Sequence, residues 1–100
     1  MLEVAPQVFA CGQLFQADLQ LIAKQGARSI VNTEPTSVDL AAAALELGIT
    51  LVHRPVDPGA ISPDAAEAFW KVCEELERPL IICSRSGALS TKIWETAEPV

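Results

Sequence analysis

Residues 79–94 read PLIICSRSGALSTKIW. A short apolar run ends in Cys83, small and basic residues follow around Gly87, and a helix-like stretch begins beyond them. A buried strand that passes through a small-residue loop into a helix is a unit of α/β architecture. It is also an anion cradle, because consecutive backbone N–H groups face the loop and the helix dipole favours negative charge. A thiol held there is driven toward thiolate, the nucleophilic form.

Working outward, the rest of the chain alternates strand and helix signals. Strands are expected at 7–11 (QVFAC), 28–32 (RSIVN), 50–55 (TLVHRP) and 79–83 (PLIIC). Between them, 15–25 carries Phe15, Leu19 and Ile22 at helical spacing and stops at Gly26. Thr36, with Asp39 three residues on, resembles a capping box for a second helix that runs to Gly48. Ser62-Pro63 is a helix start, with serine as cap and proline at the first helical position. That third helix runs to about Glu77, with Ala66, Phe69, Cys73 and Leu76 inward, and a short last helix starts near Ala88.

The fold class that follows is α/β: a small parallel sheet of about four strands flanked by helices, in one domain spanning 1–100. Ligands of such sheets bind beyond the carboxyl ends of the strands. Those ends are Cys11–Gln13, Asn32–Glu34, Arg54–Asp57 and Cys83–Gly87.

Composition narrows the partners. Half of the residues are hydrophobic (50%) and 20% are charged, which excludes a disordered chain. A net charge of −6 argues against nucleic acid and against anionic membrane surfaces. No apolar run is long enough to span a bilayer, and the N-terminal stretch lacks the pattern of a signal peptide. Cys11, Cys73 and Cys83 match no zinc spacing, so neither metal nor cofactor is expected, and the chain reads as a reduced, cytoplasmic protein of bacterial style.

Three stretches resemble one family. VFACGQLFQADLQLIAKQGARSIVNTEP is similar to its opening strand, Gly-Gln, helix and Ile-Asn strand. LGITLVHRPVDPGAISPDAAEAFW is similar to its central part, and PLIICSRSGALS to its Cys-Arg-Ser-Gly-x-Arg-Ser loop. The family is the beta-lactamase-hydrolase-like phosphatases of the dual-specificity (cysteine) phosphatase superfamily, some of which are described as sulfurtransferases. The resemblance spans roughly residues 4–96 and implies a cysteine-phosphatase-like fold.

The departures from that family fall on the chemistry. With Arg85-Ser86-Gly87 aligned to Arg-Ser-Gly, Ser84 takes the nucleophile position, Leu89 the arginine position and Ser90 the closing serine. Pro79 then stands five residues before the nucleophile position, as the family pattern requires, which favours this register. A second register starts at Cys83 and reads Cys-x5-Leu-Ser, with Gly87 one place late. Both lack the arginine whose planar fork holds two phosphate oxygens and stabilises transferring charge. Leu89 favours natural divergence over an engineered Cys→Ser change at Ser84.

The catalytic candidates are therefore Ser84, Cys83 and Asp57, the last in the loop where the resemblance implies a general acid. Turn chemistry explains Asp57-Pro58-Gly59 equally well. The anion-binding candidates are Ser84, Arg85, Ser86, Gly87, Ala88, Leu89 and Ser90. Glu34, in the loop after the second strand, would repel a phosphate. The strand order that the resemblance implies would put Cys11 beside the PLIIC strand, which makes a redox pair with Cys83 conceivable.

Three functions stay open. One is a divergent phosphatase-like domain that binds a phosphate- or sulfate-like anion, on a phosphorylated or sulfur-bearing small molecule, with weak or absent hydrolysis. Another is a sulfurtransferase with Cys83 as persulfide carrier. The third is a non-catalytic interaction domain with a vestigial loop, whose apolar surface a homodimer would cover.

Overall fold

The strand at the heart of the opening motif, β5 (Leu80–Cys83), is buried along its whole length and has a parallel neighbour on each side. The computed structural model describes residues 1–35, 40–57 and 59–99. In chain order the other elements are β1 (Leu2–Ala5), β2 (Val8–Cys11), α1 (Gln16–Lys24), β3 (Ser29–Asn32), α2 (Ala41–Glu46), β4 (Thr50–His53), α3 (Pro63–Glu75) and α4 (Gly87–Ala97). They form a 5-stranded sheet in the order β1-β2-β5-β3-β4. The expected parallel strands are all present, and β1 adds an antiparallel edge on β2. That edge was not legible in LEVA, whose residues are exposed or half-buried and carry little apolar alternation.

The strand period of two sorts the core into two halves. Leu80 and Ile82 face one side of the sheet, with Val8 and Val31, and pack on Phe69 and Cys73 of α3 and on Ile93, Trp94 and Ala97 of α4. Ile81 and Cys83 face the other side, with Cys11 and Ile30, under Leu19 and Ile22 of α1 and Ala44 of α2. Trp70 and Trp94 stack where α3 meets α4, ring centroids 4.8 Å apart and planes tilted by 42°.

Local signals hold at the helix ends. Ser62 accepts from the Ala65 N–H at 3.1 Å, with Pro63 opening α3. Gly26 and Gly48 sit at φ +92° and +79°, the left-handed region that ends α1 and α2. Two readings change. Phe15 is not on the buried stripe of α1 but at its N-cap, 58% exposed, where its backbone N–H donates to Asp18 Oδ2 at 2.8 Å. The last helix starts at Gly87, one residue earlier than expected. The Thr36–Asp39 cap lies outside the described residues, and within them α2 begins at Ala41.

Candidate functional site

Parallel strands bring the ends of β2, β3, β4 and β5 to one edge of the sheet, as their alternation with helices requires. The β5–α4 connection is centred there. Ser86 is the N-cap of α4, its Oγ accepting from the Leu89 N–H at 3.2 Å. The amides of Gly87 and Ala88, in the same first turn, have no intrahelical acceptor and form the donor end of the cradle. Gly87 does not supply a left-handed turn. A Cβ there would meet the Cys11 backbone at 3.9 Å, an ordinary contact.

The two candidate nucleophiles point to opposite faces of the sheet. Cys83 joins the core beneath α1 and α2, and burial pushes its thiol up to about 12, with the nearby Cys11 and Glu34 adding to the rise. Ser84, 3% exposed, turns to the α4 side. Its Oγ lies 2.8 Å from the Ser86 carbonyl oxygen and 2.8 Å from Ser90 Oγ, while Ser90 Oγ donates to the Cys11 carbonyl at 2.7 Å. The Ser90 proton is committed to Cys11, so the single Ser84 proton is shared between the Ser86 carbonyl and the Ser90 hydroxyl. The Ser86 carbonyl is satisfied in any case by the Ser90 N–H at 3.1 Å. Ser84 therefore spends its proton inward, and among the described residues its hydrogen-bond partners include no carboxylate or imidazole to act as base.

The end of β3 is tied to the same edge. Thr33 donates to the Cys83 carbonyl from both its N–H and its Oγ1, each at 3.0 Å. His53 Nε2 meets the Glu34 carbonyl. A carbonyl can only accept, so Nε2 carries the proton, and His53 is a satisfied strand histidine.

Over this edge opens a cleft of about 740 Å³, lined by Thr33, Glu34, Pro35, Pro55, Val56, Asp57, Gly59, Arg85, Leu89 and Lys92. Of the residues singled out by sequence, it unites Glu34, Arg85, Leu89 and Asp57; Ser84 and Ser90 are buried, Ser86, Gly87 and Ala88 are not part of its lining, and Cys83 is directed away. Asp57 Oδ1 accepts from the Gly59 N–H at 2.9 Å, the expected turn, while its side chain remains at the cleft wall. Pro58 lies outside the described residues. Lys92 was missed. Its signal was its position three residues after Leu89, which places both on one face of α4.

Comparison with known proteins fits this geometry. The family model "Beta-lactamase hydrolase-like protein, phosphatase-like domain" matches residues 1–99. No curated protein matches the sequence. Among solved structures, a "putative phosphatase" of Neisseria meningitidis superposes with a TM-score of 0.79 at 24% identity, over 93% of this chain and 72% of that one. A "putative phosphatase" of Shewanella putrefaciens gives 0.78 at 18% identity, over 99% of this chain and 74% of that one. At such identities the likeness is one of fold.

Proposed function

The chain belongs to the phosphatase-like domain family of the beta-lactamase hydrolase-like proteins, and from that premise we propose that it binds a phosphate- or sulfate-like anion at residues 84–90 while hydrolysing esters weakly or not at all. The observation that carries the reading is Ser84, whose one proton is shared between the Ser86 carbonyl and Ser90 Oγ, with no carboxylate or imidazole among its hydrogen-bond partners in the described residues. The free amides of the first turn of α4 still favour an anion. Leu89 lines the cleft where a guanidinium would be needed to stabilise transferring charge, and a hydrocarbon supplies none of that. Losing thiolate and guanidinium together removes several kcal/mol of transition-state stabilisation.

The burial of Cys83 weighs against the persulfide-carrier reading. A thiol held near 12 is protonated at neutral pH, and its sheet face is covered by α1 and α2.

The test is a titration of the intact protein with sulfate and with vanadate, read on backbone amides, beside assays of aryl-phosphate hydrolysis and thiosulfate sulfurtransfer. Shifts centred on Gly87 and Ala88, without turnover, are expected. Amides of residues 84–90 that stay unmoved at millimolar anion would refute the binding. Sulfurtransfer lost in Cys83→Ala would move the chemistry to Cys83.

A further inference from the structure

The cleft carries both signs of charge, on walls of different origin. Arg85 and Lys92 come from the β5–α4 connection and from α4, whereas Glu34 and Asp57 come from the segments that follow β3 and β4. Among the described residues none of these side chains is in an ion pair; the pair that forms, Lys71 with Glu67 at 3.2 Å, is on the surface of α3. Glu34 makes its hydrogen bonds through its backbone, with Asn32 Oδ1 and His53, which leaves its carboxylate uncommitted. Asp57 commits one carboxylate oxygen to its own turn. Leu89, Val56, Pro35 and Pro55 supply the apolar lining.

Such a cleft does not suit a bare dianion. Phosphate at the α4 wall gains from Arg85 and Lys92, but it meets Glu34 and Asp57 in the same space. A ligand with both signs of charge gains from both walls. Building on the anion-binding reading above, we infer that the occupant is a zwitterion: a phosphate- or sulfonate-like head at the N-terminus of α4, a short hydrocarbon spacer along Leu89, and an amine at Glu34 and Asp57. The carboxylates that weaken binding of simple phosphate then select the ligand.

The experiment compares 2-aminoethyl phosphate with ethyl phosphate and inorganic phosphate by calorimetry on the intact protein at fixed ionic strength. Gly87 and Ala88 amide shifts are followed in parallel. The amine-bearing ester should bind about five-fold tighter than ethyl phosphate, as expected of two partly exposed ionic contacts. Glu34→Gln with Asp57→Asn should erase that preference and leave inorganic phosphate bound as well or better. Amide shifts away from the cleft verify that the double variant is folded. The pair 2-aminoethanesulfonate and ethanesulfonate tells a sulfonate head from a phosphate. Equal affinity for amine-bearing and plain esters, with Gly87 and Ala88 still responding, overturns the zwitterion and leaves anion binding standing. No response to any of these ligands overturns both.

Discussion

The hydroxyls of Ser84 and Ser90 stand 2.8 Å apart, and Ser90 passes the contact on to the Cys11 carbonyl at 2.7 Å. The pair links the loop after β5 to the end of β2 through α4, so it secures the loop as well as occupying its base.

Replacing Ser90 by alanine removes the buried donor to Cys11 and leaves that carbonyl without its partner. Ser90→Ala should cost about 1–3 kcal/mol. The check is the urea midpoint at unchanged m-value. A loss below about 0.5 kcal/mol would mean that the carbonyl is served by water.

Restoring the chemistry needs both missing groups. A thiol at Ser84 would face the α4 N-terminus and the Ser90 hydroxyl, which favour thiolate, and an arginine at Leu89 would enter the cleft. Ser84→Cys combined with Leu89→Arg should raise aryl-phosphate hydrolysis by at least about 100-fold over the parent. Each single change should give far less, since such groups act as a unit. Equal activity in Ser84→Cys alone would show that Leu89 is not the missing element.

All three thiols are buried, and burial raises Cys11 to about 11 and Cys73 and Cys83 to about 12, from an ordinary 9.0. Above pH 9 the unfolded chain releases thiol protons that the folded chain keeps. The thiol contribution to stability is therefore whole below pH 9 and is lost as pH rises toward 11 and 12. Each thiol contributes a fall of roughly 1.4 kcal/mol per pH unit in that window. Denaturant midpoints from pH 8 to 11 measure it, with the triple Cys→Ala variant as reference. A slope identical in that variant would assign the fall to other groups.

Two phenylalanines give a control on the packing. Phe69 is 1% exposed between α3 and the sheet, and Phe69→Ala should cost about 3–5 kcal/mol. Phe15→Ala, at the exposed N-cap of α1, should stay within about 0.5 kcal/mol. Comparable losses at the two positions would contradict the placement of Phe15.

Most of the sheet was legible because parallel strands buried on both faces are plain apolar runs, as in PLIIC, and because Ser62-Pro63 and Gly26 punctuate the helices. β1 was not, since a half-exposed edge strand is stabilised by pairing with β2 and not by its own pattern. In the site, the strand-end rule brought Arg85 and Asp57 together, and the family resemblance added Leu89. The opposite facing of Cys83 and Ser84 follows from the pleat, but only once the register of β5 is known. Lys92 and the hydroxyl pair were hidden because helical spacing and a contact across six residues become informative only after α4 is placed.

The central place of β5 also bears on how the chain can be made. β2 and β3 are not neighbours; each meets the rest of the sheet through β5, which is translated after both. A nascent chain that ends before Leu80 can pair β1 with β2 and β3 with β4, but it has nothing to join the two ribbons. Assembly must await a late strand whose partner, β2, lies far back in the chain, and a closure of that span slows folding. Until then each ribbon leaves a strand edge with unpaired backbone N–H and C=O groups, and it is the strand carrying the anion loop that seals them.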